Sequence, residues 1–180
     1  MPLPFSTIGH STRPLDTFVT MLDEAGVEIV ADIRTVPRSR TNPQYNRDTL
    51  PESLAAAGLS YAYIAELGGL RSRSKTVPPE TNGFWTNASF HNYADYTLTE
   101  PFRHGLAELI ALGRERPLAM MCSEAVWWRC HRRIVADYLI ARGETVCHIM
   151  AEDRLEPARL TPGAVIGADG AITYPAPANG

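Results

Sequence analysis

Cys122, Glu124, Cys130, His131 and Arg132 share one short stretch, in the order C-x-E-x5-C-H-R. Each type has a chemical use. A thiol becomes a nucleophile and a redox group once deprotonated. A neighbouring imidazole takes its proton, a carboxyl group orients or donates one, and a guanidinium holds an anion. The run Leu118–Met121 before Cys122 has the length and bareness of a strand buried on both faces. Beyond it Trp127, His131, Ile134 and Tyr138 recur on one helix face, and Gly143 fits the helix stop. The pattern therefore predicts Cys122 where a central strand ends and a helix begins. The free N–H groups and positive dipole end of such a helix lower a thiol's pKa and favour anions.

Simpler readings compete. Cys is among the most often buried residues, so Cys122 serves equally as a packed structural thiol. A phosphatase-type loop wraps one phosphate between a Cys and an Arg six residues on; here Arg129 lies seven on and the glycines are missing. Cys130 and His131 diverge by roughly 100° on a helix, and C-x7-C is not a zinc-finger spacing, so no metal ligand set is assigned. His131 suits a Cys–His pair with Cys122. His10 suits the same base role, and nothing in the spacing chooses between them.

These residues need elements to position them, and the chain supplies strands alternating with helices. Phe5–Gly9 reads as a first strand. A helix with the stripe Leu15, Phe18, Val19 and Leu22 follows, with Ser11 or Thr12 as its cap and Gly26 as its stop. Val27–Ile33, Leu59–Ile64 and Thr145–Met150 are further strands, and Asp48 or Thr49 caps a short helix ending at Gly58. Helices around His91–Leu98 and from Thr99 to Leu112, the second stopped by Gly113, lie between. Residues 67–90 read as one long irregular loop, of the kind that makes lids and binding loops. Around Asp169–Gly170 the tail carries a hairpin signal between Ala164–Gly167 and Ala171–Tyr174.

The expected fold is a single three-layer α/β domain over residues 1–180. It has a mainly parallel five-stranded sheet, Rossmann-like or flavodoxin-like, with helices on both faces and a C-terminal hairpin tail. Ligands in such folds bind outside the carboxyl ends of the strands. His10, Asp32, Arg34, Glu66, Cys122 and Glu124 fall just past those ends.

Basic residues gather nearby. Arg34, Arg38, Arg40 and Arg47 occupy residues 34–47, and Arg71, Arg73 and Lys75 occupy 67–79, with no acid in either segment. On a chain of net charge -3, that concentration points to an anionic ligand. Arg makes bidentate contacts to phosphate or carboxylate. Tyr45 and other aromatics near these loops offer stacking surface.

At 180 residues, 44% hydrophobic and 21% charged, the chain is of ordinary globular composition. No apolar run suits a membrane span and no signal-peptide pattern opens it. Three Cys without a secretion signal point to reduced thiols in a cytoplasm rather than a disulfide framework. No dinucleotide Gly fingerprint or Walker loop is present, and no cofactor is named.

The sequence resembles the DUF488 family, a domain of unknown function. The resemblance rests on TIGHS at 7–11, DIR-x-x-P-x-S from Asp32 to Ser39, PQYN at 43–46 and LGG at 67–69. It continues through Tyr93–Tyr96, C-x-E-x5-CHR from Cys122 to Arg132 and V-x-HI at 146–149, and covers roughly residues 5–150. The departure from the usual pattern is at Val126–Arg129, where Trp127 and Trp128 replace a more polar turn. The resemblance implies a small α/β domain with a polar pocket of these motif residues, and it implies no activity.

The functional expectation is an enzyme-like site acting on an anionic, phosphate- or nucleotide-like ligand, as a thiol-dependent hydrolase or transferase. Cys122, Glu124 and His131 or His10 are its catalytic candidates; Asp32, Arg34, Arg38, Arg40, Arg132, Cys130 and Tyr45 are its ligand-binding candidates. The alternatives are a nucleic-acid-associated module using loops 34–47 and 67–79, or a metal-binding domain.

Overall fold

The computed structural model describes residues 4–178. Strands β1 (Phe5–Gly9), β2 (Ile29–Asp32), β3 (Ser60–Tyr63), β4 (Leu118–Cys122) and β5 (Val146–Ala151) run parallel, and β6 (Arg154–Pro157) adds to β5 antiparallel. The order across the sheet is β3-β2-β4-β1-β5-β6. Strands β1, β2 and β4 are buried throughout, so their sequences carry apolar runs instead of alternation. The sheet has six strands, not the five expected. Four mostly exposed residues, RLEP, make the edge strand β6, and so short and charged a segment carries no strand signal.

Alternate residues of each strand enter two separate cores. On one face, helices α1 (Leu15–Glu24) and α2 (Leu50–Ala56) bring Phe18, Leu22, Leu50 and Leu54 against Ile8, Val30, Ala119 and Met121. On the other, helices α3 (Ala88–Tyr96), α4 (Glu100–Glu115) and α5 (Arg132–Ala141) bring Tyr93, Phe102, Leu109 and Ile134 against Phe5, Ala31, Leu118 and Met120. The chain leaves β1 and β2 towards the first face and leaves β4, which lies between them, towards the second. That reversal makes a crevice at the carboxyl ends of these three strands.

Several boundaries differ from the sequence reading. Helix α4 passes through Gly113 to Glu115; a Cβ on Gly113 would lie 2.2 Å from the Phe5 ring, so this glycine serves close helix–sheet approach. Helix α5 starts at Arg132, preceded by a 3-10 turn at Trp127–Arg129 and by extended backbone at Cys130. Helix α1 starts after Pro14, without Ser11 or Thr12 as its cap. Helix α3 starts at Ala88 because the Asn87 side chain accepts from the N–H groups of Ser89 and Phe90. The long 67–90 segment is irregular as far as Asn87 apart from 3-10 turns at its start, Ala65–Leu67, and at Pro79–Asn82, and its last three residues open α3.

The tail forms the expected hairpin, β7 (Val165–Ile166) and β8 (Ile172–Thr173), with Gly170 at φ +85. It also enters the second core through Ile172 and Tyr174. Among the described residues no helix is long and apolar enough to cross a membrane.

Candidate functional site

Backbone bonds tie the three strand ends together beyond the sheet. His10 N donates to Cys122 O, Ser11 N to Ser123 O and Ile33 N to Met121 O, at 2.9, 3.0 and 3.0 Å. The chain after Cys122 then folds across β1, and Gly9 permits it: a Cβ there would lie 1.8 Å from the Glu124 carbonyl oxygen. Residues 122–124 are thereby seated directly over the crevice.

On the α1 side of the sheet, Asp32 organises a buried cluster. It receives Nε and Nη2 of Arg34 at 2.9 and 2.8 Å and the Tyr61 hydroxyl at 2.5 Å. Arg34 Nη2 also donates to Tyr45 O at 2.7 Å, and Nη1 donates to His10 Nε2 at 3.2 Å. His10 Nδ1 faces Ser11 O at 2.8 Å and so carries the proton. Burial, reinforced by Arg34, lowers the His10 pKa to about 4. Both ring nitrogens are therefore engaged, leaving no free lone pair for a base. Tyr45 stacks flat on His10, and its hydroxyl donates to Arg13 O.

The α5 side holds the sulfur cluster. The sulfurs of Cys122 and Cys130 lie against each other, with Cα atoms 7.6 Å apart, a wider span than a relaxed disulfide bridges, and Cys147 is free. The 123–129 segment loops back far enough to bring the two sulfurs together. It also changes which Cys meets the helix. Ten positions separate Cys122 from the first residue of α5, whereas Cys130 lies two before it and receives Arg132 N–H at 3.4 Å. His131 likewise faces Cys130 rather than Cys122, with Nδ1 3.5 Å from its sulfur. Its Nε2–H donates to Ile33 O at 2.8 Å, which makes Nδ1 the acceptor of a neutral ring. Burial lowers the His131 pKa to about 4. Gly69 lets the LGG segment lie against this ring, since a Cβ there would be 2.5 Å from Nδ1.

The Arg132 side chain is buried too. Nη2 donates to Glu124 O at 2.9 Å and Nη1 to Thr7 Oγ1 at 3.4 Å, while Nε has no partner among the described residues. Burial lowers its pKa to about 9. Thr7 Oγ1 is also hydrogen-bonded to His148 Nδ1 at 2.7 Å, and the His148 ring stacks on Trp127. Thr7 and His148 lie inside buried strands, where a polar residue gives no local signal, so reading the sequence assigned them no role beyond membership of the TIGHS and V-x-HI motifs.

A cavity of about 410 Å³ opens over this cluster. Cys122, Glu124, Cys130, His131 and Arg34 line it, together with Arg129. A second of about 320 Å³ adjoins it and contains His10 and Arg38, with Arg34, Val36 and Ser123 common to both. Asp32, Tyr45 and Arg132 lie in neither and support the walls from below. Arg40 is exposed and lines neither. The basic loops are partly occupied: Arg47 lies over the Tyr63 ring at 4.3 Å and Arg71 over the Tyr96 ring at 3.8 Å. Among the described residues no three His, Cys, Asp or Glu side chains are arranged to hold a metal ion.

The sheet order, the two helical layers and the polar crevice at the strand ends define a three-layer α/β protein. The profile of the family described as "Domain of unknown function DUF488" matches residues 14–139, and the chain belongs to that family. No curated protein and no solved structure matches it.

Proposed function

We propose that this protein is a thiol-dependent enzyme acting on an anionic, phosphate- or nucleotide-like small molecule in the crevice over β1, β2 and β4. The observation that carries the reading is the meeting of Cys122 and Cys130 in the wall of a cavity that also contains Arg34, Arg129 and Glu124. Cys130 is the nucleophile, because the Arg132 N–H at the start of α5 reaches its sulfur and a helix N-terminus favours the thiolate. Neutral His131 orients the thiol as an acceptor. Arg132, a buried cation with no carboxylate within 4 Å among the described residues, adds further stabilisation to a sulfur anion.

In the reaction the Cys130 thiolate attacks the electrophilic atom of the ligand. The bond to the leaving group breaks, and that group departs with the electron pair and takes a proton from Glu124. Water or a second acceptor, deprotonated by the Glu124 carboxylate, then cleaves the thio-adduct and returns the electron pair to Cys130. A disulfide oxidant closes the Cys122–Cys130 bond and becomes two thiols, silencing the site until a dithiol reopens it. That cycle suits the reducing cytoplasm, where we place the protein.

The test is the alkylation rate of the reduced protein against pH, in a Cys147→Ser background, with Cys122→Ser and Cys130→Ser added singly. Cys130 is expected to titrate well below the free-thiol value of roughly 8.5, and to be protected by inorganic phosphate or adenosine monophosphate. Thiols inert at every pH and unprotected by either anion overturn the reading.

One observation favours a nucleic-acid-binding module instead. Arg73 and Lys75 line a third cavity, of about 590 Å³, and make no ion pair among the described residues. That module would bind a single-stranded oligonucleotide with steep salt dependence, unaffected by Cys130→Ser.

A further inference from the structure

The smaller cavity beside the thiols has its own chemistry. Ser11, Thr12, Ser39 and Arg38 line it, and no Asp or Glu does. The nearby carboxylate of Asp32 is consumed, since Arg34 and Tyr61 hold both its oxygens. His10, also in the wall, is neutral and bonded at both nitrogens. Arg38 is exposed and forms no hydrogen bond or ion pair among the described residues, so its charge is available to a ligand.

The second cation is Arg34, whose side chain is only 5% exposed. A guanidinium has five N–H donors. Two go to Asp32, one to Tyr45 O and one to His10. The fifth, on Nη1, has no protein partner among the described residues, and Arg34 forms part of the wall of both cavities. A buried donor on a charged group is costly to leave unmet.

We infer that this cavity is a phosphate subsite, holding the phosphate group of a small ligand whose reactive part lies against Cys130 in the adjoining cavity. The inference rests on reading the thiol cavity as a ligand site. Arg34 is the shared contact, with its fifth N–H on the phosphate, and Arg38 supplies the second positive charge from the solvent side. Hydroxyls on the surrounding wall can donate to a tetrahedral dianion from several directions. A planar carboxylate accepts in one plane and engages fewer of them. The ligand is thus a phosphomonoester extending across the Arg34–Ser123 wall, with its electrophilic centre away from the phosphate.

Calorimetric titration of the reduced full chain with inorganic phosphate, and separately with acetate, tests this. The wild type is expected to bind phosphate at least about 10-fold more tightly than acetate, and Arg38→Ala to weaken phosphate by about 10-fold, the scale of a lost hydrogen bond to a charged group. Failure of the wild type to bind phosphate, equal binding of acetate, or undiminished phosphate binding by Arg38→Ala overturns the subsite. An inert Cys130 combined with phosphate binding that is lost in Arg38→Ala overturns the thiol reading and leaves the subsite standing.

Discussion

Three histidines, His10, His131 and His148, are held neutral, each with its pKa lowered to about 4 and burial as the leading cause. Arg132 adds its repulsion to all three. Unfolding returns each to about 6.5, so below that pH the unfolded chain binds more protons than the folded one. Their contribution is complete above pH 6.5 and is lost as the pH falls towards 4. Each group removes up to about 1.4 kcal/mol per pH unit within that window. Asp137 acts in the opposite sense, since burial holds its carboxyl above the usual range, but it is one group against three. Urea midpoints should therefore fall steadily from pH 6.5 to pH 4.5; a flat profile would show that these rings are protonated in the fold. At this scale the sequence was informative about residue type and weak about pairing. His131 and His10 stood out as chemical residues, yet which atom each would face depended on where α5 begins and on the Arg34–Asp32 pair, and neither is a local property.

Elements were legible where one stripe met one core. The strands β1, β2, β4 and β5 and the stripes of α1 and α4 appear in the sequence because burial on both faces and on one face writes different periods. The errors fell where tertiary packing overrides a local rule. Gly113 reads as a helix stop, but α4 continues past it because the Phe5 ring needs the space. This gives opposite expectations for Gly113→Ala. Propensity alone stabilises by about 1 kcal/mol, whereas a Cβ 2.2 Å from the fully buried Phe5 ring overpacks the core at a cost of about 1–3 kcal/mol. The clash should win, and thermal unfolding should occur at a lower temperature in Gly113→Ala than in the wild type. A higher one would mean that Phe5 is free to move and that the contact is not what defines the helix–sheet spacing. Cys122 illustrates the same limit at the site. Its place at a strand end was readable, but the 3-10 turn through Trp127–Arg129 breaks the apparent stripe and hands the helix start to Cys130.

For the molecule as a whole, the tail matters more than its sequence suggested. The family match ends at residue 139, and a two-residue hairpin looks like an appendage, but Tyr174 is fully buried in the core behind α5. Its hydroxyl donates to Asp137 at 2.7 Å, its N–H donates to Asn82 Oδ1 at 2.8 Å, and Asn82 donates to Asp95 of α3 at 2.7 Å. One tail residue thus clamps α3 and α5, and α5 is the helix whose first turn carries the sulfur site. Tyr174→Ala removes the ring and should cost about 3–5 kcal/mol. Tyr174→Phe keeps the ring and strips one donor from buried Asp137, at about 1–3 kcal/mol. Because Asp137 lies in the same helix as Arg132, loosening the clamp should also raise the alkylation rate of reduced Cys130 under native conditions, more in Tyr174→Ala than in Tyr174→Phe. Denaturation midpoints and alkylation rates measured on the same three proteins check both parts. If stability falls in that order while the alkylation rate stays constant, the tail supports the core alone; if neither changes, the tail is the appendage its sequence resembles.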